Sequence, residues 1–416
     1  MEGSTMPTAQ DTRASTHDVG GIRLERPFRV LRLGHFGFNV TEQERALAFY
    51  SDLLGLPVSD TVDFGRVFKQ TSPTGQDPNG YFLRVGADHH SVVLFPHWIQ
   101  VTRPGGRRPG NEWISHMAWQ VGTLREVAEG ARWLGEREVT MARPTGRDVR
   151  GANWNLTVTD ADFISNEIYY GMDQVGWDGA SKPWTICPDG EKPPASDGAA
   201  QPDFPMARRA IEQGLDLRQG LHQRPFGEPV YDVAGIMLPR PFRIVRNGPI
   251  RIFSRDVEAA TRFYRDVMGL AVTEEITWHG HRAVFLRANT EHHTIALYPL
   301  ALREELGLRA DSTCMAYGMQ VGSYRQLKDA VAFLKSKGVT IRHLPPELFP
   351  GIDYSAFAID PDGHAIQLYY YMEQIGWDGR PRPAESRRKV DNDHWPESLD
   401  ALSDTYLGPV FQGPLG

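Results

Sequence analysis

Two histidines and a glutamate, His35, His116 and Glu167, carry the chemistry that can be read most directly in this chain. Two imidazoles and one carboxylate on a common face would fill three positions of a divalent metal, the donor set of non-haem Fe(II) oxygenases. The positions left open matter, because a substrate and dioxygen can then both reach the metal. Taken singly, a strand histidine is more often a core residue with its hydrogen bonds satisfied, and a glutamate more often marks a solvated strand end. These three rise above that reading because the chain repeats itself and the repeat lacks them.

The segment DVGGIRLERPFRVLRLGHFGFNV (residues 18–40) recurs as DVAGIMLPRPFRIVRNGPIRIFS (residues 232–254). The offset stays fixed through FYSDLLGL and FYRDVMGL, since 263 − 49 = 214. Loop-length changes then shift it: DHHSVVLFP and EHHTIALYP lie 291 − 88 = 203 apart, and MDQVGWDG and MEQIGWDG lie 200 apart. A repeat this long means two similar domains in tandem rather than a solenoid of short units. Projected across it, His35 meets Pro249, His116 meets Ala316 and Glu167 meets Gln367. Proline and alanine offer no donor atom, and glutamine lacks the carboxylate charge. All three ligands are lost together, as expected if they act together.

The elements that must position them form a smaller repeat. HFGFNV alternates as a strand, and TEQERALAFYSDLLGL follows with Leu47, Tyr50, Leu54 and Leu53 at helical spacing. RVFKQT, YFLRVG and SVVLFP then read as strands separated by Gly, Pro and Asp. A second unit runs from HMAWQV through TLREVAEGARWLG to WNLTVTD and NEIYYGM. The second half repeats both units, from PIRIFS to AIQLYYY. The expected architecture is α+β: four βαβββ modules paired into two cup-shaped domains. Its predicted boundaries are an unstructured segment 1–27, a metal-binding domain 28–179, a linker 180–231 containing one possible helix (205–220), a ligand-less domain 232–379 and an irregular extension 380–416. The aromatics Phe49, Tyr50, Phe263 and Tyr264 recur and read as core, and the WDG repeats at Trp177 and Trp377 read as closing each domain.

Bulk composition narrows the partners. The 416 residues are 40% hydrophobic and 23% charged, ample for two cores. A net charge of −7, with only short basic runs near Arg107 and Arg387, argues against nucleic-acid or anionic-membrane partners. Cys187 and Cys314 do not correspond in the repeat and cannot make a disulfide framework, so a reducing, cytoplasmic location is expected. No apolar run is long enough to span a membrane.

The module order, the FYSDLLGL and FYRDVMGL helices, the HHSVVLF and HHTIALY strands and the DPDG turn at 360–363 resemble the vicinal oxygen chelate superfamily. Within it, the two-domain type I extradiol ring-cleavage dioxygenases are the most similar group, over roughly residues 30–178 and 244–378. In that group the metal usually sits in the C-terminal domain; here the order is reversed. The resemblance implies Fe(II), or less often Mn(II), at His35, His116 and Glu167. It implies a catechol-like substrate binding through adjacent oxygens beside dioxygen, and a homo-oligomer. It also implies a histidine proton shuttle in the HH segment, His90 with His89 beside it. Imidazole suits that role because it both accepts and donates near neutrality. The ligand-less copy keeps His292 and His293, however, so a structural role accounts for the pair as well. Adjacent strand residues also face opposite sides, so only one of each pair can face the metal.

Catechol-cleaving relatives carry a tyrosine ten residues before the ligand glutamate and a histidine nine residues earlier. Thr157 and Asp148 stand there instead. Substrate contacts must then come from Trp154, Asn155, Tyr169 or Asp148, and a hydroquinone or aminophenol becomes an option. Two other readings remain at this level. A metal-dependent isomerase or lyase of the glyoxalase or epimerase type would draw a fourth ligand from around residues 88–91. A non-catalytic small-molecule binder would need no metal.

Overall fold

The computed structural model describes residues 16–73, 75–102, 111–147, 151–176, 179–182, 208, 210–216 and 227–399. Its strands are β1 (His17–Val19), β2 (Ile22–Leu24), β3 (Val30–Val40), β4 (Val58–Asp63), β5 (Asn79–Leu83), β6 (Val92–Pro96), β7 (Ile114–Val121), β8 (Met141–Arg147), β9 (Ala152–Thr159) and β10 (Ser165–Met172). The second half follows with β11 (Tyr231–Val233), β12 (Ile236–Leu238), β13 (Ile244–Ser254), β14 (Ala271–Trp278), β15 (His281–Arg287), β16 (Ile295–Pro299), β17 (Cys314–Val321), β18 (Ile341–Arg342), β19 (Ser355–Ile359) and β20 (Ala365–Tyr369).

Each half folds as one eight-stranded mixed sheet, ordered β4-β5-β6-β3-β7-β10-β9-β8 and β14-β15-β16-β13-β17-β20-β19-β18. The two orders are the same once β3 is matched to β13, so the tandem βαβββ reading describes the molecule. Within a sheet the two modules meet through their first strands, β3 against β7, antiparallel. Register shifts interrupt that ladder at Val30/Arg32, Leu33/His35 and Gly37/Phe38. Such bulges bend a strand and raise its twist, which curls a broad sheet into a cup.

The helices form where the residue pattern and the caps agree. Thr123 accepts from the Glu126 amide at the start of Leu124–Glu136, and Leu124, Val127, Gly130 and Leu134 line its buried face. Glu126 turns back to accept from Thr123 Oγ1 and from the Arg29 amide, a capping box that ties the helix to the start of β3. Ser323 and Gln326 repeat the arrangement at Tyr324–Ser336, with Gln326 accepting from the Arg243 amide. In the first module of each half, the helix opens as Gln43–Leu47 or Val257–Arg262 and continues as π-helical turns, Ala48–Leu53 and Phe263–Val267.

The halves share one core. Phe36 stacks on Tyr317 with ring centroids 5.0 Å apart, and Tyr317 donates to the Ser91 carbonyl. Tyr50 donates to Asp360 at 2.8 Å, and Tyr264 donates to Asp160 at 2.6 Å, so each domain's first helix is bonded to the other domain's turn. Phe49, Tyr50 and Tyr264 are core residues, as read, but the two tyrosines also join the domains.

Four expectations change. The segment read as unstructured up to residue 27 contains the β1–β2 hairpin, held by Asp18 accepting from the Gly21 amide; Asp232 and Gly235 repeat it at β11–β12. RVFKQT is not a strand: Asp63 caps a short helix, Phe64–Val67, and the strand is the more polar VSDTVD before it. The turn chemistry of Asp63 wins over the apolar alternation that suggested a strand. The third change is at Trp377, which closes nothing and is 100% exposed. Finally, His89 and His90 precede β6 rather than lying in it, so strand alternation does not separate them. Trp177, Cys187, Arg107 and most of residues 183–226, including half of the expected 205–220 helix, lie outside the described residues. The extension from 380 packs over the second domain as far as it is described. Arg387 bonds both carboxylate oxygens of Glu274, and Trp395 packs against Tyr324 and Tyr354.

Candidate metal centre

Three adjacent strands position the triad. His35 comes from β3, His116 from β7 and Glu167 from β10, with Glu167 and His35 both in register with Ala118. The His35 and His116 Nε2 atoms lie 3.0 Å apart, and His35 Nε2 lies 3.8 Å from Glu167 Oε1. One ligand atom from each residue falls within 4.8 Å of the others. His35 and Glu167 are buried and His116 is half-buried, the most exposed of the three. Donors about 2.1 Å from a cation and at right angles to one another are about 3 Å apart, so the His35–His116 spacing fits a shared ion. Burial first, then the neighbouring imidazoles of His90 and His116, hold His35 well below the ordinary histidine range. It is therefore the neutral imidazole that metal binding requires.

Gly37 leaves the room for this. A Cβ there would stand 3.0 Å from His116 Nδ1, Phe95 Cε2 and Ser115 Cβ. Nothing in the sequence marked Gly37 except the residue opposite it, since 37 + 214 = 251 is an arginine.

The structure separates the other sequence candidates. His90 packs on His35 with ring centroids 4.1 Å apart, whereas His89 sits behind it, Nδ1 to Nδ1 at 3.0 Å. Both are buried. His89 Nε2 reaches Asp60 Oδ2 at 3.4 Å, which makes Asp60 a member of the group that sequence reasoning missed. Gly151, at φ +93°, closes over His89: a Cβ there would lie 2.5 Å from Nδ1. On β9 and β10, Thr157 pairs with Glu167 and Asn155 with Tyr169, so all four share the metal-facing side. The Tyr169 ring lies 5.3 Å from that of His35. Trp154 pairs with Tyr170 on the opposite face and is buried there, away from the triad. Asp148 lies outside the described residues.

The second cup shows what replaces the triad. Ala316 and Gln367 are fully buried, and Gln367 Nε2 donates to Ser355 Oγ at 2.9 Å. Arg251 pairs with Ala316 across the β13–β17 ladder, as Gly37 pairs with His116 across β3–β7. Its Nη2 bonds His293 Nε2 at 2.9 Å; His293 Nδ1 meets His292 Nδ1 at 3.0 Å; and His292 Nε2 meets Glu274 Oε2 at 3.0 Å. Glu274 is the counterpart of Asp60, since 60 + 214 = 274. The acid–His–His row is thus present twice, facing the triad in one half and a guanidinium in the other.

Comparison with known proteins agrees with this fold. The model of the Glyoxalase/Bleomycin resistance protein/Dioxygenase superfamily matches residues 32–168 and 246–368. Metapyrocatechase 2 of Cupriavidus necator is 30% identical over 143 residues, 34% of this chain and 37% of that protein. The 2,2',3-trihydroxybiphenyl dioxygenase of Sphingomonas paucimobilis is 26% identical over 129 residues, 31% of this chain and 42% of that protein. The matched segments thus span about two fifths of these curated relatives. Among solved structures, a catechol 2,3-dioxygenase superposes with TM-score 0.51 at 17% identity, covering 90% of this chain and 97% of that one. A Mn(II)-bound glyoxalase from Novosphingobium aromaticivorans gives TM-score 0.51 at 17% identity, covering 84% and 85%. At such identities these neighbours speak for the fold. With both halves matched by the family model, the chain belongs to the Glyoxalase/Bleomycin resistance protein/Dioxygenase superfamily.

Proposed function

We propose that this protein is a metal-dependent extradiol-type dioxygenase that opens a hydroxylated aromatic ring with dioxygen. His35, His116 and Glu167 would hold Fe(II), with Mn(II) the alternative. The observation that carries this reading is the convergence of the three donors in one cup, set against their joint replacement in the other. The bound metal would supply Lewis acidity and a common anchor for two adjacent substrate oxygens and dioxygen.

The protein's own part is to bind, orient and manage protons. Asn155 and Tyr169 lie on the metal-facing side of β9 and β10, where they can contact a planar ring. Phe95, 5.7 Å from the His116 ring, offers an apolar wall on the half-buried side. The second cup indicates how the proton relay is directed. Arg251 can only donate, so His293 accepts at Nε2, donates from Nδ1 to His292, and His292 donates from Nε2 to Glu274. The same order in the first cup would run from His90 Nδ1 to His89, with His89 Nε2 turned toward Asp60 Oδ2, 3.4 Å away. In that order the acceptor lone pair of His90 is on Nε2, the atom that would take a proton from a substrate hydroxyl and return it to the opened product.

An oxygen-electrode screen of catechols, hydroquinones and aminophenols tests the reading on protein purified and reconstituted with Fe(II) without air. Stoichiometric oxygen uptake with at least one ring class supports it. Metal-dependent conversion of a substrate without oxygen uptake would replace it with the isomerase or lyase reading.

A further inference from the structure

The two halves are bonded to each other unequally. Three side chains of the second half donate to backbone carbonyls of the first. Asn247 Nδ2 reaches the Gly34 carbonyl, Asn289 Nδ2 the Leu31 carbonyl and the Tyr317 hydroxyl the Ser91 carbonyl, each at 3.1 Å. The matching positions of the first half are Leu33 (247 − 214), Gly86 (289 − 203) and Met117 (317 − 200). None of those side chains carries an N–H or O–H, so the first half cannot return the bonds. The bonds of Tyr50 and Tyr264 are reciprocal, whereas these three run one way, toward the half that holds the triad.

Two of the three end beside the candidate centre. The Gly34 carbonyl belongs to the peptide that joins Gly34 to His35, so Asn247 fixes the plane from which His35 leaves the strand. In the second half the matching carbonyl, that of Gly248, instead accepts from Tyr369 at 2.8 Å. Its counterpart Tyr169 makes no such bond, and among the described residues its hydroxyl has no partner. The Ser91 carbonyl accepts from the Phe36 amide at 3.0 Å, which ties the segment after His90 to β3 where His90 packs on His35. Tyr317 adds a second bond to that oxygen, lays its ring on Phe36 and is bonded to Asn247 as well. A buried carbonyl with both lone pairs engaged is held in two directions. The matching Thr294 carbonyl accepts from the Ile250 amide, and Met117 has no hydroxyl to add.

We infer that Asn247 and Tyr317 are positioning residues for the first-half centre, supplied by the half that has no ligands of its own. Asn247 sets the direction of His35, and Tyr317 sets the spacing between His35 and the segment that carries His90. The inference rests on the metal reading above, and it gives the second half a part in the centre beyond its part in folding.

Cobalt(II), whose visible bands report the arrangement of its ligands, is the probe, titrated into metal-stripped full-length protein. Asn247→Leu and Tyr317→Phe each remove a donor at little change of shape. Asn289→Ala is the control, since its bond ends at Leu31, four residues before His35. Folding of every variant is checked by circular dichroism and its denaturation midpoint is measured. Cobalt affinity is expected to fall roughly tenfold, with shifted bands, in Asn247→Leu and in Tyr317→Phe. Asn289→Ala is expected to keep wild-type affinity and bands even where its midpoint falls as far. The two variants act at different carbonyls, so one that folds decides the question. Wild-type affinity and bands in a folded variant would reduce its residue to a tie between the halves and overturn the inference, with the metal reading intact. Equal weakening in all three would overturn it too, because the effect would then follow stability. No cobalt bound by the wild type would remove the metal reading itself, and the inference with it.

Discussion

At the scale of single residues, the site depends on groups that do not touch a metal as much as on those that would. Gly37 is the clearest case, with three neighbours at 3.0 Å from any added Cβ. Gly37→Ala is expected to push His116 off its position and weaken metal binding roughly 10–100-fold, the usual cost of disturbing a ligand's support. Competition titration with a metal-binding dye checks this, and unchanged affinity would show that His116 is not held there. His90→Gln is expected to lower kcat about 10²- to 10⁴-fold with metal content unchanged, as for loss of a proton-transfer group. Loss of metal along with activity would instead make His90 a structural support for His35. The triad was legible in the sequence because the repeat removes all three members at once. Asp60 was not, since a strand aspartate shows its role only when folding places it behind His89. Trp154 was misjudged because nearness in sequence to Glu167 said nothing about the face on which β9 would present it.

At the scale of elements, two reciprocal bonds link each first helix to the far turn, and both use a buried carboxyl. Burial, the largest cause, pushes Asp360 up to about 7 and Asp160 up to about 6. An unfolded chain releases these protons near pH 3.9, whereas the folded protein keeps them to higher pH. The sign follows: stability from these groups is complete below about pH 4 and is lost as pH rises through 6 and 7. The denaturation midpoint is therefore expected to fall more between pH 5 and pH 7.5 in the wild type than in Asp360→Asn. Identical slopes would mean that Asp360 titrates as it does in water. Strand order was legible from alternation and turn residues, but β4, β8 and β14 were not singled out. They are edge or near-edge strands with polar outward residues, and their pattern is weaker than that of the buried central strands.

At the scale of the whole molecule, the second half does more than repeat the first. Tyr317 stacks on Phe36, one residue from His35, and Tyr50 is anchored in the second half. Tyr50→Phe and Tyr264→Phe are each expected to cost about 1–3 kcal/mol, because each leaves a buried carboxyl short of a donor. Chemical denaturation of both variants checks this, and the near-symmetry of the two bonds calls for similar losses. The repeat made the two-domain plan readable, since it lies wholly within one chain. The crossed pairing of the halves was hidden, because Tyr50 and Tyr264 look like any apolar helix stripe until the partner surface is known. The central claim, that one half has kept a metal centre and the other has lost it, is tested most directly by metal content per chain. Protein purified without air should be measured beside Glu167→Ala and Gln367→Ala variants. About one iron or manganese per chain, lost in Glu167→Ala and kept in Gln367→Ala, is the expected result. Two metals per chain, or a content indifferent to Glu167→Ala, would contradict the account.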